Sequence, residues 1–251
     1  MKISVKKTIR DSILGILLSI LVFLASGNNI KANEQSLKNV TYQPTIKSDF
    51  AQYDMNDPNG SWWKKWDATI KDPNDPNEII QAKWNSIITI LQNKDLDQEL
   101  KKKIIDKIIS PVFDTDLMAK LVLGRTNWPK LNASQQKRFT ILFAERLKNF
   151  YLEKTALYND QTVTFKPATR NRSSVYIPMV LTSNNQEVSI LYKLHKLNEA
   201  DLAGAKIYWK IYDVEIEGVS VLLTYQSQFD DILRKGSVND LFEQLEKPST
   251  E

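Results

Sequence analysis

The stretch that most constrains the fold is Lys206–Glu217, KIYWKIYDVEIE. Ile207, Tyr208, Trp209, Ile211, Tyr212, Val214 and Ile216 give it the β-branched and aromatic load of a strand. Its alternation breaks once: Ile207, Trp209 and Ile211 share one parity, and Tyr212, Val214 and Ile216 share the other. Side chains in a strand repeat every second residue, so the flip requires a bulge or a change of packing partner. Such a strand suits the back wall of a curved sheet. Gly218 then turns the chain into two helices that end near Leu245.

The segments before it alternate in kind. Asp75-Pro76-Asn77-Glu78 combines a cap, a first-turn proline and an acid spaced for a capping box. Ile80, Trp84, Ile87, Ile88 and Leu91 follow on one helical face. Asp95 with Gln98 opens a second helix, faced by Leu100, Ile104, Ile105 and Ile108 and ended by Pro111. Its Lys101–Lys103 run reads as a solvated face. A short third helix starts near Thr115 and stops at Gly124. Asn132 with Gln135 opens the longest, which carries Phe139, Leu142, Phe143, Leu147, Phe150, Tyr151 and Leu157 as a stripe wider than one sheet-facing seam needs.

The period then becomes two: Val163 and Phe165, then Val175, Ile177, Met179 and Leu181, an Asn184-Asn185 turn, and Val188, Ile190, Tyr192 and Leu194. Helices, strands and helices again predict an α+β fold. We expect a curved, mainly antiparallel four-stranded sheet with helices on its concave face around an apolar cavity, an NTF2-like cone. Residues 75–247 make this domain; residues 33–74 form an irregular extension rich in turn signals. Trp62, Trp63 and Trp66 in that extension are costly to leave in water, and read as a segment tucked against the domain.

Residues 1–32 read as a secretory signal peptide: Lys2, Lys6, Lys7 and Arg10 precede an apolar run from Ile13 to Leu24, and Ile30-Lys31-Ala32 resembles a cleavage site. The run is shorter than the roughly 20 residues a membrane span takes. An uncleaved anchor is the alternative, and either way the bulk of the chain is exported. This segment carries a net +4, equal to the formal charge of the whole chain, so the remainder is about neutral and has no basic footprint for nucleic acid. With no cysteine, thiolate metal sites and thiol nucleophiles are excluded.

No zinc spacing, phosphate loop or nucleophile elbow appears, and the sequence holds no catalytic or metal constellation. His195, the only histidine, falls on the polar side of its strand beside Lys193 and reads as a surface residue. Asp213, Glu215 and Glu217 share one strand face and read as solvent-side carboxylates.

Trp209–Leu245 resembles the C-terminal signature of the MlaC family, also labelled toluene-tolerance proteins, which are periplasmic phospholipid carriers. Phe113-Asp114, Met118-Ala119 and Leu123-Gly124-Arg125 resemble that family's middle motif, with Thr126 and Asn127 inserted before the aromatic Trp128. The resemblance spans about residues 78–246. It implies a non-enzymatic periplasmic protein that takes phospholipid as cargo and has no cofactor. Its implied partners are an inner-membrane ABC transporter complex with an MCE-domain subunit and an outer-membrane lipoprotein–porin complex, and the implied outcome is outer-membrane lipid asymmetry. It also implies that Asp213 and Glu217 pin a turn.

A carrier of this kind hides acyl chains, and each CH₂ removed from water contributes about 0.8 kcal/mol. The expected lining, between sheet and longest helix, is Leu142, Phe143, Leu147, Phe150, Met179, Ile190, Tyr192 and Trp209. Arg125, Arg170 and Arg172 are the candidates to meet the headgroup phosphate. The alternative is a small-molecule isomerase or hydratase using the same cavity, which requires an acid or histidine aimed into it.

Overall fold

The structure is a computed structural model that describes residues 40–41, 70–72, 74–155, 161–171, 173–183, 186–198 and 208–247. The 1–32 segment, Trp62, Trp63, Trp66, Leu157, Arg172 and the Asn184-Asn185 turn lie outside them. The described elements run β1 (Val40–Thr41), α1 (Pro76–Gln92), α2 (Gln98–Ile109), α3 (Thr115–Asn127), α4 (Ala133–Thr155), β2 (Thr162–Phe165), β3 (Thr169–Asn171), β4 (Ser174–Ser183), β5 (Gln186–Lys196), β6 (Trp209–Ile216), β7 (Val219–Ser220), α5 (Val221–Lys235) and α6 (Val238–Glu246).

The α+β class holds, with helices against an open, antiparallel sheet ordered β1-β2-β4-β5-β6-β7 and β3 also on β4. Among the described residues, seven strands stand where four were expected. The four are β2, β4, β5 and β6; the others are two or three residues long, too short to leave a period-two pattern. β2 and β3 both pair with β4, and the gap between them holds Pro167 and faces Pro178 of β4. Pro178 lacks an N–H, so β4 has no donor to offer there, and its carbonyl accepts from Lys166 N at 2.9 Å.

The parity flip in β6 is a bulge. Lys193 pairs with Asp213 and Leu194 with Ile211, which leaves Tyr212 as the extra residue. The bulge returns Val214 and Ile216 to the face that carries Trp209 and Ile211: Ile190 pairs with Ile216, Tyr192 with Val214, and Leu194 with Ile211. It also frees the Ile211 carbonyl, which accepts from Asp114 N at 2.9 Å and anchors the start of α3 to the sheet. Glu217 and Gly218 then close a two-residue hairpin with φ of 51° and 77°, the two positive angles that such a tight turn requires.

Local chemistry sets the helix ends. Asp75 caps α1 by accepting from Asn77 N at 2.9 Å. Glu78 does not complete the expected box; its carboxylate instead accepts from the amides of Lys71 and Asp72 and ties down the entering chain. The cap of α2 is Asp97, two residues beyond Asp95, accepting from Leu100 N at 2.8 Å. Lys101 is buried, contrary to a solvated run, because its Nζ donates to the Leu91 carbonyl at the end of α1. Asn132 and Gln135 form the expected reciprocal pair at 2.9 Å each way, and Ser237 with Asp240 forms a capping box on α6.

α3 is broken at Gly124, whose φ of 64° and ψ of −177° lie in a region open essentially to glycine alone. A Cβ there would stand 3.0 Å from Gln226 Nε2 on α5. Gly124→Ala is therefore expected to cost about 1–3 kcal/mol of stability. Urea unfolding checks this, and an unchanged midpoint would contradict it.

Candidate functional site

Two large apolar groups occupy the interior. In the sheet-side group, Ile79, Ile80 and Ile88 of α1 pack against Val175, Ile177, Met179, Tyr192, Leu194, Trp209 and Ile211. In the helix-side group, Met118 and Leu123 of α3, Phe139 and Phe143 of α4, Leu222 and Phe229 of α5, and Leu241 and Phe242 of α6 pack together. Phe113, just before α3, packs against both. A third, smaller group of isoleucines joins α1 to α2.

The expected lining residues divide between the two groups. Met179, Ile190, Tyr192 and Trp209 meet on the sheet side, and Leu142, Phe143 and Leu147 on the helix side. The helix that covers the sheet residues is α1, not the long α4, which packs on α2, α3 and α6. Phe150 is half-buried farther along α4. Leu142 also borders a surface cleft of about 340 Å³, shared with Glu145, Arg146, Asn149, Leu245 and Lys247.

The basic candidates separate too. Arg170, exposed on β3, holds its guanidinium 5.9 Å from the centre of the Trp209 ring, at the rim of the sheet-side group. Trp209 is fixed in turn by donation from its Nε1 to the Asn74 carbonyl at 2.9 Å. Arg125 is exposed beside a different cleft of about 390 Å³, bordered by Gly124, Thr126, Lys130, Gln226 and Asp230.

Three polar arrangements escaped the sequence reading. Trp84 Nε1 on α1 donates to Tyr192 Oη on β5 at 3.0 Å, inside the sheet-side group. The sequence pattern puts both residues on apolar faces, yet it carries a signal for this bond: a buried indole N–H or phenol O–H normally finds a partner. His195 is not a free surface residue, since its Nε2 lies 2.7 Å from Asp114 Oδ2. Burial pushes the Asp114 carboxyl up, but hydrogen bonds from His195 and Leu117 N and the electrostatic influence of His195 and Lys210 hold it below its ordinary value.

Asp213 is buried, not solvent-facing. Its carboxylate accepts from Val214 N at 2.9 Å, Leu222 N at 3.1 Å, Ser220 Oγ at 2.8 Å and Lys193 Nζ at 3.2 Å. It is the one buried carboxylate among the described residues, and these donors occupy it as a junction between β6 and α5, leaving little capacity for a general base. Glu217 accepts from Ser189 N, so the side chains of both acids hold the β6–β7 turn in place. No set of three or more His, Cys, Asp or Glu suited to a metal ion occurs among the described residues.

Residues 81–247 match the family described as MlaC protein. The toluene tolerance protein ttg2D of Pseudomonas putida is 28% identical over 141 residues, which cover 55% of this chain and 60% of that relative, so the match spans less than two thirds of its length. A phospholipid-binding protein from Ralstonia solanacearum, solved in complex with a phospholipid, shares the fold with a TM-score of 0.58 at 24% identity, covering 68% of this chain and 94% of its own. With two thirds of its length matched to the family, arranged as helices against an open antiparallel sheet, the chain belongs to the MlaC family.

Proposed function

We propose that this protein is a phospholipid carrier of the periplasm, exported by residues 1–32, with residues 75–247 as the lipid-binding domain. It takes acyl chains into its apolar interior and needs no cofactor or catalytic group. Family membership carries the reading, and the fold shared with a protein solved with phospholipid supports it. The walls are the sheet-side residues Met179, Ile190, Tyr192 and Trp209 and the helix-side residues Leu142, Phe143, Leu147 and Phe150. Arg170 meets the phosphate above Trp209, with Arg172, two residues on, as a further cationic contact; Arg125 lies at the separate cleft and is not part of this contact.

Hydrocarbon can be held this way by contact area alone, which is why a site of this kind needs few polar groups. The cargo passes between an inner-membrane MCE-domain ABC transporter complex and an outer-membrane lipoprotein–porin complex, maintaining outer-membrane lipid asymmetry. The energy comes from the partner's ATP.

Native mass spectrometry of the full chain, expressed with its leader and purified without detergent, tests the cargo. A stoichiometric phospholipid adduct, identified after solvent extraction, is the expected result. A lipid-free protein from every preparation would overturn the proposal.

A further inference from the structure

We propose that the Tyr192 hydroxyl donates a hydrogen bond to an ester carbonyl of the bound lipid, so that the protein selects ester-linked over ether-linked chains. This rests on the carrier reading above and specifies which chemical feature of the cargo the interior recognises.

The argument starts from one hydroxyl in apolar surroundings. Tyr192 is 8% exposed. Its cross-strand neighbours are Ile177 on β4 and Val214 on β6, and Ile190 and Leu194 share its face of β5. The hydroxyl oxygen accepts from Trp84 Nε1, which fixes its position from the opposite layer. Trp84 has only a donor to give, so the hydroxyl hydrogen must find its acceptor elsewhere. None stands opposite it among the described residues, whose only hydrogen bond to this hydroxyl is that from Trp84. Burial pushes the phenol well above its ordinary pKa, so the proton stays on the oxygen and the group remains a donor.

A phenylalanine would fill the same space but leave the Trp84 N–H without its acceptor, so the tyrosine oxygen already has one task here; its hydrogen still has none. A tyrosine oriented by a tryptophan therefore points to an acceptor delivered from outside. Acyl chains supply one. A hydrocarbon tail drawn into an apolar interior brings its ester carbonyl with it, and that carbonyl loses water unless a donor replaces it. An ether-linked chain of the same length has no carbonyl to offer.

The test uses the full-length protein and its Tyr192→Phe variant. Each is equilibrated with mixed vesicles holding equal amounts of dioleoyl phosphatidylcholine and its dialkyl ether analogue. The lipid carried off by the protein is then quantified by mass spectrometry. One neutral hydrogen bond corresponds to a preference of about five- to tenfold for the ester lipid in the wild-type protein. Tyr192→Phe is expected to carry both lipids about equally, with a lower urea midpoint because the Trp84 N–H loses its acceptor. A wild-type ratio near one overturns the inference without the variant, as does a Tyr192→Phe protein that keeps the preference. If the wild-type protein carries neither lipid, the carrier reading fails and takes this inference with it; a wild-type protein that carries both without preference sinks this inference alone.

Discussion

Asp213→Ala is expected to lower the free energy of unfolding by about 3–4 kcal/mol. The residue stands directly after the bulge in β6 and gathers donors from four elements. Val214 N comes from its own strand, Lys193 Nζ from β5, Ser220 Oγ from β7 and Leu222 N from the first turn of α5. Ser220 passes the constraint onward, because its Oγ accepts from Leu223 N at 3.0 Å as the cap of α5. Alanine leaves the Ser220 hydroxyl and the Leu222 amide in a buried place without their acceptor, at about 1–3 kcal/mol for each such group. Lys193 does not become an orphaned charge, since Glu215 remains its partner, and this keeps the loss below the upper end for a broken buried pair. Asp213→Asn keeps one acceptor oxygen but turns an NH₂ toward donors, so its loss should be about half as large. Urea unfolding with unchanged slope reads both variants. A loss under about 1 kcal/mol for the alanine variant would mean that strand and helix hold together without this junction.

Residues such as these mark where the sequence was legible and where it was not. The parity break in Lys206–Glu217 announced the bulge because one extra residue in a period-two pattern shifts every later side chain. The reciprocal pair of Asn132 and Gln135 was equally plain, since a capping box is written in a four-residue spacing. Asp213 was read as exposed because its spacing with Glu215 and Glu217 fits a solvent face, and nothing local reveals that α5 returns to cover that face. His195 and Asp114 are 81 residues apart in the chain, and Lys101 reaches back across a turn to Leu91. Such partners are set by tertiary packing, which a periodic pattern does not encode.

The candidate lining shows the same boundary. Each of its residues was chosen for an apolar face, and the described ones are all buried or half-buried. Which apolar face meets which was beyond the pattern. The sheet found α1 as its cover, while α4 turned its widest stripe toward α3, α5 and α6. The excess width of that stripe reflects several helical neighbours, as much as any space reserved for cargo.

Phe143 is where that distinction is sharpest. The residue is 0% exposed. Its ring stacks on Phe139 at 5.8 Å and 6°, and meets the edges of Tyr225 at 5.4 Å and 87° and Phe229 at 6.1 Å and 81°. Phe139 meets Phe229 at 5.6 Å and 86°, so α4 and α5 are joined by a closed set of rings. Phe143→Ala is expected to cost about 3–5 kcal/mol in lipid-free protein, from lost transfer energy and the cavity left behind. Phe229→Ala should cost a similar amount. The double variant should fall short of the sum by about 0.5–1.5 kcal/mol, because the second truncation removes a ring whose edge-to-face partner has already gone. Urea unfolding of the four proteins closes the cycle. Strict additivity would show that the two rings act separately, and a Phe143→Ala protein within about 1 kcal/mol of wild type would show that the site collapses around the loss and that this ring does not hold α4 against α5.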